Sequence, residues 1–245
     1  MKTIREQVLE AEQNAELGPG DDEQFSGYGV MGVTFSSGHV LALRRFPVTN
    51  VGDGYTSVWL RRPSGAWTIY ADAPPEASCA RYFGSALETS VQCPITVTWT
   101  DDTSFIVAVG GEVDLVWQLE LEATTITRAI TEVIGAMPGS LLASKAFLKA
   151  MGAAAGPALR AGRLGLTGNV PNRQGFRAKP RQMWFISGTS ATLAGEDLGS
   201  RQPLRVQTRL GDFWIPRRGI FLIGAASFDR FDPSLHLPAR ASGAA

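Results

Sequence analysis

The stretch "EVDLVWQLELEAT" (112–124) constrains the fold more than any other. Val113, Leu115, Trp117, Leu119 and Leu121 alternate with Asp114, Gln118, Glu120 and Glu122. A period of two puts successive side chains on opposite faces of an extended chain. One face is apolar and the other carries carboxylates, so the segment reads as a strand with one buried and one wet face. "VQCPITVTW" repeats the pattern, with Val91, Cys93, Ile95, Val97 and Trp99 on one side. Pro94 lies on the other side and lacks a donor, which places this strand at an edge or at a bulge. "YTSVWLRRP" and "WTIYADA" around "SGA", and "GVMGVTF" and "HVLALRRF" around "SSG", read as hairpins. Six or seven sequential strands thus fill Phe25 to Ala123 with short connections and no crossover helix. The pattern predicts an antiparallel meander or barrel and excludes a parallel βαβ architecture.

The flanks differ. Residues 2–17 read as an acidic helix whose apolar stripe (Ile4, Val8, Leu9) is too thin for a core helix, and 18–24 as a linker. Residues 124–164 switch to helical period. Ile126, Ile130, Val133 and Ile134 share a face after an N-cap at Thr124 or Thr125. Pro138-Gly139 separates this helix from a second one, which Gly156-Pro157 breaks or kinks. Strand patterns return after Gly175 in "FRAKPRQMWFISG", "SATLAG", "LRVQTRL" and "GIFLIGAASFDRF", and 236–245 reads as a flexible tail. The expected fold class is mainly β, an antiparallel barrel-like domain over 25–235 with a helical insertion at 124–164.

With 44% hydrophobic and 19% charged residues, 245 residues suffice to bury a core. The net charge of zero hides an asymmetry. Residues 1–132 hold 18 acidic and 8 basic residues, a net of −10; residues 133–245 hold 5 and 15, a net of +10. No acidic residue lies between Glu132 and Glu196, while eight basic ones run from Lys145 to Arg181. The two halves neutralise each other on folding, or 145–181 forms a basic face for peripheral membrane contact or an acidic partner. Basic and aromatic residues are not interleaved, so no nucleic acid is expected as a partner. "MKTIREQVLEAEQNAELG" lacks the apolar core of a secretion signal, and no window approaches the ~20 apolar residues of a membrane span. The expected location is the cytoplasm, with Cys79 and Cys93 reduced. Two cysteines and two histidines, His39 and His236, make no metal-cluster spacing, so neither metal nor cofactor is expected.

"GYGVMG" (27–32) matches the G-x-G-x-x-G of dinucleotide-binding turns. That turn needs a strand before it and a helix opening after it. Here an acidic loop precedes it and "VTFSSGHVLALRRF" follows, so the glycines are expected to bend a strand or admit a second backbone. No nucleophile elbow, phosphate loop or zinc-protease motif occurs. Arg81 stands beside Cys79 in "ASCARYFG", though a buried structural cysteine is the simpler reading. "LGDFWIPRRG" (210–219) is the densest polar–aromatic cluster. Asp212 there is the candidate catalytic acid or base, alongside Asp72 and Glu76, or else a carboxylate paired to an arginine. Trp59 (or Val58 and Leu60, by register), Trp99 and Trp117 are the inward-facing candidates to line a ligand cavity, with Tyr70, Arg81, Asp212 and Trp214 as further contacts.

The order of elements, Gly65-Ala66-Trp67, and the texture of "RRPSGAWTIYAD" and "FRAKPRQMWFISGTSATLAGEDLG" resemble the calycin (lipocalin-like) proteins of the carotenoid hydratase and AttH type. The G-x-W match departs from the lipocalin pattern, since it follows a hairpin turn instead of opening the first strand. The resemblance implies a lipocalin-like barrel with a pocket for a hydrophobic small molecule of isoprenoid or fatty type. It also implies, as an alternative, hydration or cyclisation of a polyene. No catalytic residue is carried over from it.

Overall fold

The computed structural model describes residues 2–239. Helix α1 (Ile4–Gln13) precedes strands β1 (Glu23–Thr34), β2 (Val40–Thr49), β3 (Tyr55–Arg61) and β4 (Trp67–Ala71). A crossover carrying the short helix α2 (Ala80–Phe83) leads to β5 (Thr89–Gln92), β6 (Ile95–Trp99), β7 (Ser104–Val109) and β8 (Leu115–Glu122). Helices α3 (Thr125–Gly135), α4 (Gly139–Ala143) and α5 (Lys145–Ala158) follow. Then come β9 (Thr167–Asn169), β10 (Gly175–Leu193), β11 (Glu196–Asp197), β12 (Arg209–Leu210), β13 (Phe213–Trp214) and β14 (Ile220–Phe228). No described helix is long and apolar enough to cross a membrane.

The main sheet runs β5-β4-β3-β2-β1-β14-β10-β8-β7-β6, with β9 and β11 on the long β10. Its two edge strands, β5 and β6, are separated in sequence by Cys93 and Pro94 alone. Ten strands laid flat would span about 43 Å. Three Cα steps reach at most about 11 Å. The sheet therefore cannot lie flat, and it curls into a half-barrel whose edges meet at Pro94. Cys93 N–H still donates to Ala71 O (2.9 Å) beside one edge, and Gly110 N–H donates to Pro94 O (2.9 Å) beside the other. The anticipated single strand "VQCPITVTW" is thus two strands in different places, because the residue without an N–H ends the ladder. One pairing departs from the expected antiparallel pattern: β4 and β5 are parallel, joined by the crossover at 72–88 that the sequence did not announce. "LRVQTRL" forms a strand only at Arg209–Leu210.

Inside the curl, Leu115, Trp117, Leu119 and Leu121 pack with Val30, Leu43, Leu60, Phe105 and Phe221. The residues between them on β8 are exposed, as the period-two pattern requires. Ile4 and Val8 of α1 are buried in the same cluster, so the thin stripe does make a core helix. Two polar links fix it there: Tyr28 Oη donates to Glu12 (3.2 Å), and Arg45 pairs with Glu12 at 2.7 Å. Outside the curl, β2–β4 are covered by α2 and the 204–215 segment. β10 and β14 are covered by the helical insertion. The glycines of "GYGVMG" lie within β1. A Cβ on Gly27 would stand 2.1 Å from Arg45 O, and one on Gly29 2.2 Å from Leu43 O, so they serve close backbone approach. Of the anticipated tail, 240–245 lies outside the described residues, while Leu237 N–H donates to Asn172 O (3.0 Å).

Glu23 ties three segments together. Its carboxylate accepts from Arg81 Nη2 (2.6 Å), Tyr82 Oη (2.6 Å) and Gln174 Nε2 (3.1 Å). Burial alone would raise this carboxyl, but the three donors outweigh it and hold it below the ordinary glutamate value. A folded-state value below the unfolded one gives stability that is complete above the unfolded pKa, about 4.3, and lost as the pH falls through the folded one. Glu23→Ala leaves three donors unpaired and should cost about 2–4 kcal/mol at neutral pH. Urea unfolding should show the variant's deficit shrinking as the pH falls below about 4; a deficit constant with pH would contradict this role.

Candidate functional site

Helix α3 begins where Thr124 Oγ1 accepts from Thr127 N–H (3.2 Å), as its N-cap position predicts. Its apolar face then meets α5 across the outer face of β10 and β14. On those strands the residues alternating with the inward ones, Met183 on β10 and Ile220 and Leu222 on β14, point toward the helices. Helix α5 is small-sided where it meets the returning chain. A Cβ on Gly152 would come 2.7 Å from Leu164 O, and one on Gly156 2.2 Å from Gly162 O. The chain reverses through left-handed Arg160 (φ 52°) and Gly162 (φ 73°) and runs back along the helix. Gly165 in turn admits the 211–214 loop, since its Cβ would stand 2.6 Å from Asp212 O.

A cavity of about 380 Å³ results, bounded by α3, α5, β10, β14 and Trp214. Its lining carries no ionisable side chain. Met31, Met137, Met151 and Met183, every methionine after Met1, face it. Methionine is unbranched and polarisable and adapts to varied apolar shapes. Leu164, Gly165 and Trp214 also line an adjoining polar cleft, whose lining includes Lys145, Lys149, Arg160, Arg163, Arg217 and Asp212. The guanidinium groups of Arg163 and Arg209 each stand 5.2 Å from the Trp214 ring centroid.

The residues singled out from sequence are dispersed. Trp117 is fully buried inside the half-barrel, its Nε1 donating to Thr189 Oγ1 (2.8 Å), with Tyr70 in the same cluster and Trp99 half-buried at its margin against Phe105. Trp59 is displaced from its expected inward position. Its register opposite Ala42 and Ile69 puts it on the outer face, while its neighbours Val58 and Leu60 point in. There it packs against Phe83 and beneath the Arg44 guanidinium, 4.8 Å from the ring centroid. Burial lowers Arg44 to about 10, so it is still cationic at neutral pH. Arg81 is held by Glu23 and turned from Cys79, whose Sγ lies 3.2 Å from Tyr55 Oη. Asp212 lines the polar cleft, where Asn169 N–H donates to it (2.9 Å) and Arg209 stands 3.7 Å away. Asp72 accepts from Thr56 N–H (2.7 Å), and Glu76 is exposed on the crossover. Only Trp214 among these borders the apolar cavity. Trp117 and Tyr70, expected to line an interior ligand site, are packed into the core there, and the apolar cavity lies on the opposite face of the sheet.

The basic segment divides. Arg177 pairs with Asp22, which joins the two halves, while Asp229, in the same half as both cations, pairs with Arg177 and with Lys145 at 3.2 Å. Lys149, Arg160, Arg163 and Arg217 pair with no carboxylate among the described residues. No group of three or more histidine, cysteine or carboxylate side chains that could hold a metal occurs among the described residues.

No family model matches the chain, and no curated protein matches it. Among solved structures, acetoacetate decarboxylase from Legionella pneumophila subsp. pneumophila str. Philadelphia 1 is similar at 10% identity, with a TM-score of 0.42, over 99% of this chain and 97% of that one.

Because Trp117 is fully buried in the interior, Trp117→Ala should destabilise the fold by about 3–5 kcal/mol in urea unfolding. A loss below about 1 kcal/mol would mean that the interior tolerates a void and is not close-packed.

Proposed function

We propose that this chain binds an apolar small molecule of isoprenoid or fatty-acyl type in the cavity between α3, α5 and the outer face of β10 and β14. One observation carries the reading: the cavity is of ligand size and its lining is wholly without ionisable groups. Protein interiors leave few voids larger than a water molecule, whereas pockets for small ligands begin at about 300 Å³ and are mostly apolar. The methionines and the alanines of α5 support it further, since they leave room and conform to the guest. The barrel-like scaffold with an apolar pocket is what the chain would share with calycins of the carotenoid hydratase and AttH type. Hydration or cyclisation of a polyene would need an acid inside the apolar pocket. Asp212, Asp72 and Glu76 all lie elsewhere, so binding without chemistry is the reading we hold. The proposed setting is the cytoplasm, in keeping with the free thiols of Cys79 and Cys93.

Native mass spectrometry of protein purified from its own host, followed by organic extraction, should show a co-purifying apolar molecule. In vitro, the neutral dye Nile red should bind, and Ala155→Phe, which fills the cavity from α5, should weaken it at least about tenfold with a stability change under about 1.5 kcal/mol. An apo protein from its host that also ignores Nile red would remove the proposal.

A further inference from the structure

We infer that the occupant is a single-chain amphiphile with an anionic head, a carboxylate or a phosphate, whose tail enters the apolar cavity and whose head lies in the adjoining basic cleft. This rests on the binding reading above and specifies the ligand class. The cavity and the cleft adjoin, with Leu164, Gly165 and Trp214 shared between their linings. One side offers a tail an almost wholly apolar surface. The other offers Lys149, Arg160, Arg163 and Arg217 without carboxylate partners among the described residues.

Charge bookkeeping across every element facing the cleft leaves it positive. From α5 come Lys145 and Lys149, with Lys145 already engaged by Asp229. From the reversal come Arg160 and Arg163, and from the 205–217 segment Arg217 and Asp212, with Arg209 behind them paired to Asp212. Asp212 is the single carboxylate in the lining, and its two oxygens are taken up by Asn169 N–H and by Arg209. Helix α5 ends at the cleft, and its C-terminal dipole amounts to roughly half a negative charge, which offsets only a fraction of four cations. Neutral apolar guests need no such surroundings. A carboxylate or phosphate does, and the guanidinium fork suits both. Trp214 fits the boundary role, with its ring bordering the cavity and cations over it from the cleft side.

The test compares dodecanol, dodecanoate and dodecyl phosphate as displacers of Nile red, at low and high salt, on three proteins: wild type, the double variant Arg160→Glu/Arg163→Glu, and Ala155→Phe. Ala155 faces the cavity from α5, whereas Arg160 and Arg163 line the cleft from the reversal after it, and both arginines are exposed, so the double variant should fold as the wild type does. Exposed charge pairs contribute under about 1 kcal/mol each, so the two anions should bind about tenfold tighter than the alcohol at low salt, an advantage that shrinks at high salt. The double variant should abolish that advantage and leave dodecanol affinity unchanged. Ala155→Phe should weaken all three alike. Equal affinity of alcohol and anions for the wild type overturns the head-group inference and leaves the pocket standing. Failure of all three to displace Nile red overturns both. A parallel arm uses vesicles of anionic phospholipid. Binding to the vesicles without binding of monomeric dodecyl phosphate would mark the cleft as a membrane-surface contact and overturn the single-chain occupant.

Discussion

Two residues, Cys93 and Pro94, join the opposite edges of a ten-strand sheet, and the rest of the architecture follows from that short covalent link. The link dictates curl, and curl divides the sheet into a concave and a convex face of unequal character. The concave face closes on itself, and large side chains from β1, β2, β3, β7, β8, β10 and β14 meet there. The convex face has no opposing sheet, so each part of it must be roofed by something else. Helix α2 and the 204–215 segment roof one part, and the helical insertion roofs the other.

The two roofs are not equivalent. Over β2–β4 the cover is aromatic and dense: Phe83 and Phe213 meet the Trp59 ring at an angle, and a buried arginine lies over the Trp59 and Phe213 rings. Over β10 and β14 the cover joins the isoleucines of α3 to the alanines, glycines and methionine of α5. Small residues on α5 let the returning chain touch the helix on one side and leave volume on the other. The same composition that makes α5 a close neighbour of residues 161–166 makes it a loose neighbour of the sheet. Space and adaptability thus coincide at one place, beside four cations that have no carboxylate partner among the described residues.

The period-two stretches made the concave face legible. In β8 every residue assigned inward is buried and every one assigned outward is exposed. The stripe of α3 and its Thr124 cap were equally readable, since both depend on neighbours within a few residues. What local pattern could not supply was the identity of the partner face. Trp59 sits in a run, "YTSVWL", that is buried on both sides, so alternation offers no sign for which side is inside. The parallel pairing of β5 and the burial of Ile4 and Val8 depend on segments far away in the chain. The cavity lining is the extreme case. Met31 and Met183 lie 152 positions apart (183 − 31), and nothing short of the strand order brings them together. A sparse signal did exist: apart from the first residue, methionine occurs four times, and all four converge. The basic segment was ambiguous for another reason, since its charges divide between internal pairing and the cleft, and sequence sums cannot separate the two.

One neighbour of β1 in the sheet is β14, the last of the described strands. During synthesis β1 to β5 can leave the ribosome and pair, but one flank of β1 stays open until residues 220–228 arrive. At about 5–20 residues per second, roughly 200 residues take about 10–40 s. For that interval the emerging chain shows a twelve-residue strand edge, rich in apolar side chains, to its surroundings. Truncated products that stop before β14 would keep that edge for as long as they exist. A cell making this protein therefore has cause to shield the nascent chain, and its yield should depend on how quickly translation reaches the final strand.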